Sequence, residues 1–258
     1  MMEPIIKLTE VTKIYESKVM KRALNRLSFN AMEGEFIAIM GPSGSGKTTL
    51  LNMIATVDMP TYGGILIDGI EPEMLSKSKL ALFRRRHLGF VFQDINLLNM
   101  LTVEENIVLP LTLDGMGVDE MEKRVAELVC KLVLKEILNK RPDELSGGQA
   151  QRTAIGRALI HRPKIILADE PTGNLDSKSA KDVLELLSEI NENEKTTIVM
   201  VTHDPIAASY CDRVLFIKDG EFFNEIYKDE RRQTFYQRIL NVLSLLGGHH
   251  DVSTVRLS

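Results

Sequence analysis

Cysteine is scarce: 258 residues carry two, Cys130 and Cys211. Each lies in an apolar stretch and neither belongs to a metal-ligand spacing, so both are read as buried free thiols. Their scarcity is compatible with a reducing compartment. Long apolar runs are missing as well. None approaches the roughly 18 residues needed to cross a bilayer, and Met1-Met2-Glu3-Pro4 lacks the charged-then-apolar pattern of a signal peptide. The expectation is a soluble chain whose membrane role, if any, runs through a partner. An excess of one charge is also lacking: 32 Lys and Arg face 36 Asp and Glu, a formal charge of -4. A nucleic-acid binder shows a basic excess or stripe, so composition gives that class no support. Internal repeats and low-complexity tracts are absent.

What is present suffices for a core: 44% of residues are hydrophobic and 26% charged, as in an average soluble domain. Phe36–Met40, 164–168 and Thr197–Val201 are nearly continuous apolar runs. Strands covered on both faces read this way, which implies a parallel sheet with helices on each side. Helical patterns follow at 48–57, 178–191 and 206–211, so the class is α/β. Two regions depart from the alternation. The N-terminal third has extra strand-like segments at 5–15 and 64–68. Residues 97–141 read as mostly helical, with Val125, Leu128, Val129 and Leu132 on one face, a helical insert between two halves of the sheet domain.

Gly41-Pro42-Ser43-Gly44-Ser45-Gly46-Lys47-Thr48 matches G-x-x-x-x-G-K-[ST]. It follows the strand ending at Met40 and opens a helix, the context the motif requires. The glycines let the backbone N–H groups turn inward toward phosphate oxygens, and the helix N-terminus adds positive potential. Lys47 is expected to reach the β- and γ-phosphates and the Thr48 hydroxyl to ligate Mg²⁺. Downstream, residues 165–168 form an apolar strand ending in Asp169-Glu170. Acids at strand C-termini lie where open α/β sheets place ligands. Asp169 is expected to serve Mg²⁺, through water, and Glu170 to polarise the attacking water.

Leu145-Ser146-Gly147-Gly148-Gln149, followed by Gln151-Arg152, resembles the signature motif of ABC ATPases. Taken alone, Ser146 reads as a helix N-cap. Other stations of that family stand in order. Tyr15 resembles the aromatic that stacks on adenine, Gln93 the Q-loop glutamine, Gly173-Asn174-Leu175-Asp176 the D-loop that crosses to a second subunit, and His203 the switch histidine that holds the γ-phosphate. By itself Tyr15 would be packing, the Gly173–Asp176 tetrapeptide a turn and helix cap, and His203 structural or exposed.

The resemblance covers residues 5–225. It implies a P-loop NTPase with a mostly parallel core sheet, an N-terminal antiparallel β subdomain and a helical insert. The expected divisions are 1–96, 97–158 ending in the signature, 159–224, and a C-terminal helical extension 225–258. It implies ATP and Mg²⁺ as cofactors, with Glu170, His203, Gln93 and Lys47 catalytic. Nucleotide contacts fall to Tyr15, Gly41, Ser43, Gly44, Ser45, Gly46, Lys47, Thr48, Thr49, Ser146, Gly147, Gly148, Gln149 and Asp176. Thr48, Gln93 and Asp169 fall to the metal. One chain has one phosphate loop and one signature, so two complete sites need a second copy, head to tail.

Gln93 to Leu98, Leu101 to Asn106 and Ala168 to Asp176 resemble the branch with lipoprotein-release and macrolide-export ATPases. The tail, with Phe235, Ile239, Val242 and Leu246 at one-face helix spacing before Gly247-Gly248, and Thr202 to Cys211 are most similar to ATPases of bacitracin-resistance (Bce-type) transporters. This implies work on a separate polytopic permease at the cytoplasmic face of the membrane, cell-wall-directed peptide antibiotics as its concern, and a histidine kinase reached through the permease. Nucleic acid is not expected. Arg84-Arg85-Arg86-His87 reads as a solvated helix end or a permease contact.

Overall fold

The computed structural model describes residues 3–16 and 20–247. The N-terminal region builds an antiparallel three-stranded sheet with β1 (Ile6–Tyr15) between β2 (Lys21–Ala31) and a later strand, Tyr62–Ile67. The chain leaves β2 into β3 (Phe36–Met40) of a six-stranded sheet and returns through α1 (Lys47–Ile54) to that third strand, β4. The larger sheet runs in the order β5-β6-β7-β3-β8-β9, with β5 (Leu88–Val91), β6 (Ile165–Asp169), β7 (Thr197–Val201), β8 (Arg213–Lys218) and β9 (Glu221–Tyr227). All its pairings are parallel except β8 with β9.

The continuous apolar runs follow from two covered faces. Phe36, Ala38 and Met40 of β3 point into one hydrophobic cluster, and Ile37 and Ile39 point into the other. The first cluster lies under α3 (Val103–Leu113), α4 (Val118–Lys131), α5 (Gly147–Leu159), α6 (Ser177–Glu194), α7 (Pro205–Ala208) and α8 (Arg232–Gly247). The second joins α1, the antiparallel sheet and Phe83 of α2 (Lys77–His87). Strand residues alternate sides, so only an unbroken apolar run can fill both.

The helical region between 97 and 141 holds α3 and α4 as expected. A capping box between Thr102 and Glu105 starts α3, and Val125, Val129 and Leu132 are buried. Cys130 is a correction: it is exposed, because it points away from that face, while Cys211 is buried. The helix expected over 206–211 is shorter, Pro205–Ala208. It stops because Asp212 must reach β3, with its N–H on Phe36 O at 2.7 Å and its carboxylate accepting from Phe36 N at 2.9 Å. The strands β2 and β9 went unnamed in the sequence. Arg26, inside β2, has φ 48, which interrupts the alternation that would have marked it.

The arginines at the end of α2 are not freely solvated. Arg84 donates to Thr56 O at 2.9 Å. Arg85 and Arg86 bind the Asp114 carboxylate at 2.6 and 2.8 Å, and the Arg85 hydrogen bond is the main reason its pKa falls below the usual range. In α8, Phe235, Ile239, Val242 and Leu246 are all buried. Arg232 stacks 4.3 Å from the Tyr210 ring centroid. Gly247 is the last helical residue; Gly248 lies outside the described residues.

Candidate active site

The C-terminal ends of β6, β7 and β3 lie side by side, and the loops leaving them carry the charged groups. The loop after β3 is gripped from two sides. A Cβ on Gly41 would run into Ile217 O of β8, and one on Gly46 into Ala23 O of β2, so both positions require glycine. Gly220, in the β8–β9 turn, donates to Ser45 O at 3.0 Å and accepts from Asn25 N at 2.9 Å. Gly46 caps α1 with φ 102, open only to glycine without strain. Lys47 Nζ donates to Gly41 O at 2.9 Å and Pro42 O at 2.8 Å. Burial pushes its pKa down, against the opposing pull of Glu170 and Asp169. Ser43 and Gly44 are exposed at the tip of the loop, and the buried Ser45 hydroxyl has no partner.

Asp169 closes β6 half-buried, and its pKa is raised first by burial and then by the adjacent Glu170. Glu170 has left-handed backbone, φ 46, a costly conformation for this residue type. Its N–H is held by Val201 O of β7 at 2.9 Å. The carboxylate thereby swings toward the β7 loop, where Oε1 lies 2.7 Å from His203 Nδ1. The Glu170 side chain is only 14% exposed and that of His203 is 72% exposed. An ionised carboxylate only accepts, so Nδ1 carries the proton in this contact. Asp204 Oδ1 then accepts from Ile206 N at 2.8 Å and starts α7.

Gln93 follows β5 and lies beside the loop after Glu170. A Cβ on Gly173 would stand 3.0 Å from its Nε2, and Asn174 Nδ2 donates to Gln93 O at 3.1 Å. Beyond it, Ile95 and Asn96 both have positive φ, 62 and 51. Their carbonyls are held by Arg157 of α5, with Nη2 to Ile95 O at 3.1 Å and Nη1 to Asn96 O at 2.7 Å. Sequence reasoning missed Arg157. An arginine set among Ala, Ile and Gly in the second half of α5 was the available signal.

The signature residues form a separate unit. Ser146 caps α5 in a reciprocal box: its Oγ accepts from Gln149 N at 3.3 Å, and Gln149 Oε1 accepts from Ser146 N at 3.0 Å. Gly147 packs near Leu175, and a Cβ on Gly148 would come within 2.9 Å of Ser179 Oγ. Asp176 acts as a helix cap, bonding Lys178 N and Ser179 N, each at 3.0 Å, and Ser179 Oγ at 2.6 Å. Those bonds, Ser179 foremost, lower its pKa. Among the described residues no hydrogen bond or ion pair joins 146–149 to 41–48. Tyr15, by contrast, shares one cavity of about 170 Å³ with Gly44, Gly46, Lys47, Thr48 and Thr49.

The donor chemistry fits a phosphate chain with a hard cation. The glycine-bounded loop, the lysine and the unpartnered Ser45 hydroxyl suit phosphate oxygens. Thr48, Asp169 and Gln93 offer only oxygen donors to a metal, the ligand type Mg²⁺ prefers.

The family model described as "ABC transporter" matches residues 24–173. The ABC transporter ATP-binding protein YxdL of Bacillus subtilis (strain 168) is 57% identical over 99% of this chain and 100% of its own length. The bacitracin export ATP-binding protein BceA of Halalkalibacterium halodurans is 49% identical over 95% and 97%. Among solved structures, a dimeric post-hydrolysis state of the ATP-binding cassette MJ0796 bound to ADP and Pi superposes with TM-score 0.80 at 43% identity, over 88% of this chain and 100% of that one. The chain belongs to the ABC transporter family, as one of its ATPase subunits.

Proposed function

We propose that two copies of this chain, closed head to tail, hydrolyse ATP to power a separate polytopic permease that handles cell-wall-directed peptide antibiotics. The observation that carries the hydrolytic reading is the Glu170–His203 contact of 2.7 Å beside Lys47. Both Lys47 and His203 hold internal partners, loop carbonyls and a carboxylate, that phosphate oxygens compete for. Lys47 exchanges the Gly41 and Pro42 carbonyls for the β- and γ-phosphates. His203 exchanges Glu170 for the γ-phosphate, which frees the Glu170 carboxylate to hold the attacking water. Phosphoryl transfer asks the protein mainly for such positioning and charge. Mg²⁺, when bound, neutralises phosphate charge, and Thr48, Asp169 and Gln93 are the residues to hold it. The γ-phosphate meets the N–H groups at the start of α5 of the second copy, since Ser146–Gln149 make no bond to the phosphate loop of their own chain. The head-to-tail arrangement is further supported by the dimeric state of the MJ0796 cassette.

The permease substrate is inferred from likeness to the bacitracin export protein over nearly its whole length. Among the described residues no helix is long and apolar enough to cross a membrane. The proposed seat at the cytoplasmic face, through the permease, rests on likeness to the bacitracin export ATP-binding protein. A histidine kinase is the expected further partner. Pull-down from detergent-solubilised host membranes tests this. A permease of about ten spans, with ATPase activity that rises on adding a peptide antibiotic, is the expected result, and a co-eluting histidine kinase completes it. A four-span permease would move the chain to macrolide or lipoprotein traffic. Stimulation by RNA or DNA without a membrane protein would overturn the transport reading.

A further inference from the structure

Asp58, in the turn after α1, plays no part in the phosphate chemistry, yet three groups converge on its carboxylate. The Tyr15 hydroxyl donates to Oδ2 at 2.8 Å. Lys13 Nζ, two residues back along β1, donates to Oδ1 at 2.5 Å and to Met59 O at 2.8 Å. The Met59 N–H also reaches Oδ1, at 2.8 Å. The turn is tied to the helix that opens at Lys47, because Val57 N and Asp58 N both donate to Asn52 O. Lys13 and Asp58 side chains are only 14% and 26% exposed, whereas Tyr15 is 39% exposed. A half-exposed aromatic on a strand has more than one χ1 rotamer open to it. A bond from its hydroxyl to a braced carboxylate pins Oη, which moves with χ1, and so holds the ring in one rotamer. Lys13 Nζ also stands 5.0 Å from the ring centroid. Burial, then the Asp58 bond, raise the Tyr15 pKa, so the phenol remains a donor at neutral pH.

We propose that Asp58, braced by Lys13, is a positioning residue for the base end of the nucleotide: it fixes where the Tyr15 ring stands relative to the phosphate loop. The proposal rests on the reading of Tyr15 as the base-stacking residue. Stacking on a ring already held in place loses less conformational entropy on binding, so Asp58 acts on affinity for the base and not on the phosphates.

The test is titration calorimetry and steady-state ATPase kinetics on the whole chain, with ATP and with inorganic tripolyphosphate, which has phosphates but no base. Asp58→Ala is expected to raise the Kd and KM for ATP about three- to ten-fold, leaving kcat and tripolyphosphate affinity at wild-type values. Tyr15→Phe, which keeps the ring and loses the hydroxyl, is expected to lose the same factor, with no further loss in the double variant. An equal fall for ATP and tripolyphosphate, or additive losses in the double variant, would overturn the proposal. If Asp58→Ala does not fold, Tyr15→Phe decides: wild-type ATP affinity there rejects the idea. Weak binding by Tyr15→Ala with normal binding by Asp58→Ala would reject Asp58 alone. Normal ATP binding by Tyr15→Ala would reject the stacking role itself.

Discussion

The strand-end half of the site and the helix-start half are built on opposite principles. At the ends of β3, β6 and β7 the functional groups are held at electrostatic and conformational cost. Lys47 has a lowered pKa, Asp169 a raised one, and Glu170 a left-handed backbone. At the start of α5 and α6 every prominent side chain is satisfied locally, Ser146 by Gln149 and Asp176 by Ser179 and the backbone. The difference teaches what each half supplies. On the proposed reading, the strand ends bring charge for phosphate and metal to stabilise, while the helix start offers backbone N–H groups already arranged by a complete cap.

The sharpest way to break this contrast is Glu170→Gln. Turnover should fall by about 10²–10⁴-fold, the scale for losing a positioned general base, while ATP binding survives and dimers accumulate on sizing columns. Wild-type turnover would remove Glu170 from the chemistry. Next is a mixing experiment between Glu170→Gln and Ser146→Arg copies, each inactive alone. In a head-to-tail dimer one mixed site carries both lesions and the other neither, so random pairing restores up to about a quarter of wild-type activity. No recovery would argue that both halves serve one chain.

Gly148→Ala probes the packed side of the helix-start half. Its Cβ meets Ser179, and overpacking of this kind costs about 1–3 kcal/mol, readable in urea melts. Asp169→Asn should act in the opposite direction and is the smallest effect. The folded-state pKa of Asp169 is raised above its ordinary 3.8, so its charge destabilises the nucleotide-free fold above that pH. The penalty is full at pH 7 and fades as both states protonate below 3.8. The variant should therefore melt higher than wild type at pH 7 and lose this advantage in acid, although its turnover falls. A lower melting temperature at pH 7 would show that Lys47 outweighs burial there.

The legible parts of the fold were those with one strong local signal. β3, β6 and β7 announced themselves because burial on two faces forces unbroken apolar runs. α8 showed itself through Phe235, Ile239, Val242 and Leu246. β2 and β9 did not, since each lies at the edge of its sheet and mixes exposed polar positions with buried ones. Cys130 was misread because an apolar neighbourhood in sequence is not an apolar face on a helix. In the site, the phosphate loop was readable from spacing alone, and the remaining stations from family resemblance. Arg157, which holds carbonyls 61 and 62 residues away, and Asp58, which holds a hydroxyl 43 residues away, were not readable. Their partners are set by packing and leave no pattern along the chain.

The sequence by itself determined the α/β class and the phosphate loop, because these follow from local periodicity and from backbone geometry that only glycine tolerates, while the order of the charged stations came through family resemblance. Tertiary structure decided which of those stations meet. Glu170 and His203 touch because parallel pairing of β6 with β7 sets Asp169 opposite Val201. Ser146 stays apart from Lys47 because α5 packs its cap against the start of α6. Contacts between distant segments depend on how layers stack, which no local stretch encodes.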